Sequence, residues 1–311
     1  MPANIQTSLT AKDGLDFKIQ GSDTSVFGRK NVNKLLYSKT DPWQEDHRLV
    51  WKRGVAGYDW TGGAKYGHRW RSICYIPGLG RFVVVGGTSI DGQPGNPTIG
   101  AYRGMISVEG GFPSGGITWV YRLSVYEGDW RSVCYAPDLG RLVAVAREAT
   151  NGRVAISSNG GENWTQLLGS SVPAYTWRSV CYAQDKGLFV AVADEAGGLQ
   201  NDRVMTSTNG GDWTLRTTPM VYNSNFRDEP GWGCVCYSQE KGMFVALSST
   251  HDDVSGGKSI YSYDGINWSM GVRASRNRDS RINSVIYVPE KGLFVAVGSA
   301  TGLVGAYGCE T

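Results

Sequence analysis

The chain has 311 residues, a net charge of +3 and a pI near 8.4, a balance too weak to mark a nucleic-acid partner. Charged residues make up 19%, aromatics 11%, and 43 Gly stand against 11 Pro, a mixture that suits packed sheets and tight turns better than helices. No apolar run reaches the length that spans a bilayer, and Met1-Pro-Ala-Asn-Ile-Gln-Thr has neither the basic start nor the apolar core of a secretory signal.

In chain order, residues 1–30 are mostly polar and are expected to form an arm, either a frayed terminus or an anchor that orders on docking to a larger assembly. Within and beyond it, Leu15–Gln20, Thr24–Phe27, Lys34–Ser38 and His47–Lys52 have the character of short strands. A repeated phrase then begins. Its copies read Trp70-Arg-Ser-Ile-Cys-Tyr, Trp130-Arg-Ser-Val-Cys-Tyr, Trp177-Arg-Ser-Val-Cys-Tyr, Trp232-Gly-Cys-Val-Cys-Tyr and Ile282-Asn-Ser-Val-Ile-Tyr, with starts 60, 47, 55 and 50 residues apart. Alternation within the phrase sends the cysteine to one face of a strand and the Val and Tyr to the other. After a short turn each copy continues into an apolar run, at Arg81, Arg141, Leu188, Met243 and Leu293, of the kind found in strands covered on both faces. A third strand is predicted at Arg153–Ser157, Arg203–Ser207 and Ser259–Ser262, and a fourth from Trp119, Trp164, Trp213 and Trp268.

Four strands repeated at this spacing predict an all-β, five-bladed β-propeller of four-stranded blades over residues 31–311. A sheet so small cannot bury both faces alone and must pack on its neighbours. The expected closure uses Lys34–Ser38 and His47–Lys52 as the missing outer strands of the last blade, which removes open edges. Pairing of Leu15–Gln20 and Thr24–Phe27 as well would give six blades.

The connection between third and fourth strands carries a second phrase: Ser157-Ser-Asn-Gly-Gly-Glu-Asn-Trp164, Ser207-Thr-Asn-Gly-Gly-Asp-Trp213 and Ser262-Tyr-Asp-Gly-Ile-Asn-Trp268. Asn or Asp before Gly supplies the backbone and the side-chain acceptor of a tight turn, and the Trp can cover it. The phrase resembles the Asp-box of sialidase-like β-propellers, with Ser157, Asn159, Gly161 and Trp164 matching Ser-x-Asp-x-Gly-x-x-Trp except for Asn in place of Asp. In that family the box is a structural turn, so the resemblance implies a fold and no activity. The combined phrases also resemble those of bacteriophage tail and virion proteins.

The variable loops, Thr88–Thr98, Ala196–Asp202 and Ser249–Gly257, are expected on the same face as Trp70, Arg71, Trp130, Arg131, Trp177 and Arg178. Aromatic faces and guanidiniums suit sugar rings and acidic groups, and these six residues with Asp252 and Asp253 form the candidate ligand-binding set. The competing role for the Trp-Arg pairs is packing between blades, with each arginine bracing a neighbouring carbonyl or carboxylate. Asp252-Asp253 beside His251 could hold a cation, although Gly and Ser neighbours favour a solvated loop. Cys74, Cys134, Cys181 and Cys236 share one repeat position, filled by Ile286 in the fifth copy, and read as small core residues and not as disulfides or metal ligands. Cys234 and Cys309 fall outside that pattern.

No Arg-Ile-Pro phrase, phosphate-binding loop or dinucleotide motif is present, and Glu148, Asp194, Glu195, Asp252 and Asp253 do not form a familiar carboxylate constellation. The expectation is a non-enzymatic structural or recognition protein of a virion, a bacteriophage tail or surface component. It would need no cofactor or metal and would be present in several copies. Its partners would be other virion proteins through the N-terminal arm, and a host surface glycan, with no nucleic acid and no membrane insertion. The alternatives are a sialidase-like carbohydrate-active enzyme and a soluble lectin or scaffold.

Overall fold

The structure is a computed structural model. It describes residues 7–10, 15–19, 36–39, 68–88, 105–109, 118–122, 129–147, 154–167, 172–195, 202–219, 221–222, 227–228, 231–249, 257–274, 281–300 and 303–310. Two units are distinguished, Met1–Val55 with Ser114–Gly116, and Ala56–Pro113 with Ile117–Thr311.

In the first unit, β1 (Thr7–Thr10), β2 (Leu15–Ile19) and β3 (Leu36–Lys39) form a three-stranded antiparallel sheet in the order β1-β2-β3. Phe17 lies opposite Tyr37 and Leu15 opposite Lys39. The strand expected at Lys34–Ser38 therefore pairs with its sequence neighbour, a closure over far fewer residues than one with the last sheet and so cheaper in chain entropy. Thr24–Phe27 and His47–Lys52 lie outside the described residues.

Among its described residues the second unit holds five repeated antiparallel sheets and one two-stranded ribbon. The first contains β4 (His68–Ile76), β5 (Arg81–Thr88), β6 (Met105–Glu109) and β7 (Thr118–Arg122). The second contains β8 (Trp130–Ala136), β9 (Arg141–Ala146), β10 (Val154–Ser157) and β11 (Thr165–Leu167). The third contains β12 (Thr176–Ala183), β13 (Leu188–Glu195), β14 (Val204–Ser207) and β15 (Thr214–Arg216). After a two-stranded ribbon of β16 (Val221–Tyr222) and β17 (Arg227–Asp228), the fourth contains β18 (Trp232–Ser238), β19 (Met243–Ser248), β20 (Ser259–Ser262) and β21 (Ser269–Met270). The fifth has three strands, β22 (Arg281–Val288), β23 (Leu293–Ala300) and β24 (Leu303–Glu310).

Each first strand meets the first strand of the next sheet, and the apolar core is divided among these junctions. Trp130 and Val133 pack against Ile76, Val83 and Val85 of the preceding sheet. Trp177 and Val180 repeat this against Val143 and Val145, and Trp232 and Val235 against Val190 and Val192. Ile282 and Val285 close the series on Cys234 and Leu247. Polar stitches run alongside. The backbone N–H groups of Val133, Val180 and Val235 donate to Ser72, Ser132 and Ser179 Oγ at 3.2, 3.1 and 3.2 Å. Tyr182 and Tyr237 hydroxyls donate to Asp138 and Asp185, in the preceding sheet's first turn, each at 2.6 Å. Arg81 Nη1 reaches forward to the Gly160 carbonyl at 3.0 Å, and Arg141 to that of Asn209.

The expected closed five-bladed propeller is not formed. Packing joins the first sheet to the second, the second to the third, the third to the fourth and the fourth to the fifth, and no comparable packing joins the fifth to the first among the described residues. Ile73 and Tyr75 on the first sheet, and Ile286 and Val297 on the last, are exposed. Among the described residues the last sheet has three strands, and β3, expected to help complete it, pairs with β2 instead.

Candidate functional site

The tryptophan and valine of the repeated phrase are three residues apart, which in a regular strand puts them on opposite faces. In the structure both face the preceding sheet, because a β-bulge intervenes. Trp130 lies opposite Ala146 and Ser132 opposite Val145, leaving Arg131 as the extra residue. Trp177 lies opposite Ala193 and Ser179 opposite Val192, leaving Arg178. The same shift occurs at Arg71 in β4, Gly233 in β18 and Asn283 in β22. Bulges re-aim side chains, and here they turn an arginine out of the ladder at the same end of successive sheets. The series stops at Gly233 for a steric reason: a Cβ there would lie 2.8 Å from the Ile282 carbonyl oxygen.

Aspartates hold the bulged arginines in place. Arg131 Nη2 bonds Asp129 Oδ2, and Arg178 Nη1 stands 3.2 Å from Asp194 Oδ2. Asp194 also accepts a bond from Thr176 Oγ1 at 2.5 Å, while its backbone oxygen accepts one from Arg203 Nη1 at 3.4 Å. Beside them, the Arg147 N–H donates to the Asp129 carbonyl at 2.9 Å, and the Tyr175 hydroxyl donates to Asp202 at 2.8 Å. Burial pulls Arg131 below the ordinary arginine value; Asp129 opposes this, and the like charges of Arg178 and Arg147 add to it. Arg131, Arg147, Arg178 and Arg203 therefore stand against three carboxylates, Asp129, Asp194 and Asp202, in this part of the structure. Arginine stays protonated under such pressure, so the group keeps a positive excess.

The eight candidates from the sequence fare differently. Trp130, Trp177 and their equivalent Trp232 are fully buried between sheets. The Trp177 Nε1 donates to the Pro173 carbonyl at 3.0 Å, and neither tryptophan offers a ring face to solvent. Arg131 and Arg178 are brought together, and Arg71 is exposed at the equivalent place on the first sheet. Trp70 lies in β4, with its side chain outside the described residues, as are Asp252, Asp253, Glu148 and the Glu195 side chain. Asp129 and Asp194 were not paired with the arginines from sequence. The readable signal was Asp immediately before Trp130-Arg131; Asp194, at the far end of β13, gives none.

The arrangement presents guanidinium groups braced by carboxylates. Asp129 and Asp194 are each committed to an arginine, and no cluster of His, Cys, Asp and Glu able to hold a metal occurs among the described residues. Burial disfavours the thiolate form at the five described cysteines. Burial raises Cys74 to about 11 and Cys236 to about 12, and pushes Cys134, Cys181 and Cys234 well above the ordinary thiol range.

Neither a protein-family model nor a curated protein matches the chain. Among solved structures it is similar to the GH74 enzyme of Niastella koreensis, at 10% identity and a TM-score of 0.51 over 77% of this chain and 36% of that one. The GH74 xyloglucanase of Xanthomonas campestris gives 12% identity and 0.50, over 76% and 36%. YCF48 from Cyanidioschyzon merolae gives 12% and 0.47 over 79% and 73%, a likeness too slight to argue from. Such distances speak for an all-β fold alone, and the chain spans about a third of the two GH74 proteins.

These findings correct the resemblances drawn from sequence. With no matching family, a departure at the Asp position in two of three copies, and no closed ring, the Ser-x-Asn/Asp-Gly phrases do not define an Asp-box propeller. They are local turns. Ser262 Oγ accepts from the Gly265 N–H at 2.8 Å, Asp264 Oδ1 from the Ile266 and Asn267 N–H groups at 2.8 and 2.7 Å, and Trp268 Nε1 donates to Gly265 O at 3.0 Å. The likeness to bacteriophage and virion proteins rested on the same phrases and falls with them.

Proposed function

We propose that the protein is a non-enzymatic recognition module that holds acidic groups of a glycan on the arginine-bearing ends of its second and third sheets. The observation that carries this reading is the pair of bulged arginines, Arg131 and Arg178, each clamped by its own aspartate and close enough to repel the other. Clamping removes rotamer freedom before a ligand arrives, which lowers the cost of binding. A guanidinium edge matches carboxylate or sulfate geometry.

Binding of uronate-containing, sialylated and sulfated glycans against neutral ones tests the proposal. We expect retention of acidic glycans, weakened about tenfold or more in Arg131→Gln/Arg178→Gln, in keeping with charge-assisted bonds worth about 1.5–3 kcal/mol each. Equal binding of neutral glycans, or no effect of the double variant, would refute it. Turnover of a chromogenic glycoside that depends on one carboxylate would favour an enzyme instead.

Among the described residues no helix is long and apolar enough to cross a membrane.

A further inference from the structure

The sheets follow one packing rule, and the two outermost sheets break it in complementary ways. Inside the stack, the fourth residue of the repeated phrase faces the preceding sheet: Val133, Val180 and Val235 are 5% exposed and Val285 7%. Ile73 holds that position in the first sheet and is 60% exposed. Tyr75, on the same face of β4, is exposed too. In the second strands, Val85, Val145 and Val192 face the following sheet at 0% exposure and Leu247 at 4%. Their equivalent in the last sheet, Val297, is 47% exposed. Ile286, in the slot that Cys74, Cys134, Cys181 and Cys236 fill elsewhere, is 58% exposed. Ser284, equivalent to the stitching serines Ser72, Ser132 and Ser179, is exposed beside it.

We infer that these faces are the two halves of one interface between copies of the chain, the last sheet of one copy receiving the first sheet of the next. The occupant is argued from the junctions already present. Ile73 and Tyr75 form the kind of face that four internal junctions bury against a preceding sheet. Ser284, Ile286 and Val297 form the kind that four junctions bury against a following one. Stacked repeats ordinarily end on polar faces that stop association, and these ends carry isoleucine, tyrosine and valine. Because the two faces differ, the contact is head-to-tail, and it propagates unless the rotation between copies closes a ring.

Sedimentation velocity across a dilution series of the 311-residue chain tests this. The expected result is a mass rising with concentration in multiples of one chain. Ile73→Arg and Ile286→Arg, each at an exposed site and each checked for an unchanged melting temperature at a dilution where the wild type is a single chain, are expected to stay at one chain mass. An equimolar mixture of the two is expected to give a two-chain species and nothing larger, because one variant keeps an intact last sheet and the other an intact first sheet. Wild-type protein at one chain mass throughout overturns the inference, whatever covers the faces within the chain. Association of either variant alone, or failure of the mixture to pair, overturns it as well. The wild-type series stands even where a variant misfolds.

Discussion

The inner junctions and the outer faces are built from the same repeated phrase, yet they carry different physical weight. At the junction of second and third sheets, Trp177, Val180 and Val145 are buried, the Val180 N–H is stitched to Ser132, and Tyr182 is tied to Asp138. At the last sheet the equivalent Ser284, Ile286 and Val297 face outward. A repeat thus specifies the halves of an interface, and the neighbour decides whether they become one. Stability in such an array is close to a sum of sheet and junction contributions, so matched substitutions inside and outside the stack measure the junction directly.

The largest effect belongs to the tryptophans. Trp177→Ala empties a fully buried site between two sheets and should cost about 3–5 kcal/mol in denaturant unfolding. A loss below about 1 kcal/mol would mean that the bulged tryptophan is not the plug of the junction. Next comes the valine position. Val180→Ala should cost about 2 kcal/mol, from two buried methyls and the cavity they leave. Ile73→Ala, at the equivalent position on the first sheet, should change the stability of the single chain by no more than about 0.5 kcal/mol. Equal costs at the two sites would erase the distinction between inner and outer faces. The serine stitch gives a finer version. Ser132→Ala strands the Val180 N–H and should cost about 1–3 kcal/mol, whereas Ser284→Ala should be silent at concentrations where the chain is alone.

Much of this architecture was legible in the chain because its signals are local. The alternation in Trp130–Ala136, the apolar run of Arg141–Ala146 and the Asn-Gly turns each report their own strand or turn. The shared cysteine position read from sequence as a core slot is partly buried against the junction clusters, and exposed where Ile286 fills it in the last sheet; Cys234 occupies the slot of the stitching serines, in the fourth phrase. Closure was not legible. Whether a fifth sheet returns to the first depends on small rotations accumulated over four junctions, and no single phrase encodes that sum. The N-terminal strands misled for a related reason, since Leu36–Lys39 has the composition to pair with any open edge and took the one nearest in sequence. The arginine site was half legible. Arg131 and Arg178 stood out by repetition, but their aspartates come from different places, one before the phrase and one at the end of the second strand. The bulge that aims the arginines shows in sequence only as an odd Trp-to-Val spacing.

The smallest predicted effect compares the turns. At Ser207–Trp213 an asparagine holds the turn, with Asn209 Oδ1 accepting from the Gly211 and Asp212 N–H groups and its amide donating to Asp212 at 2.8 Å. At Ser262–Trp268 the polarity is reversed: Asp264 accepts, and the Asn267 side-chain amide donates to it at 2.7 Å. Partial burial acts to raise Asp264, but bonds from Asn267, Ile266 and Ser262 outweigh it and hold the carboxyl at about 2. A carboxylate held below its unfolded value stabilises the fold above the usual carboxylate range, near 3.9, and that contribution fades as pH falls through about 2. Asp264→Asn keeps the acceptor for both backbone N–H groups and removes the titration. Between pH 4 and 2 the wild-type melting temperature should therefore fall further than that of Asp264→Asn, while the Asn209 turn contributes no such slope from its amide. Other carboxylates titrate in both proteins, so the difference between the two profiles is the quantity to read. Superimposable profiles would show that the turn is held by its shape, with the charge on Asp264 contributing nothing measurable.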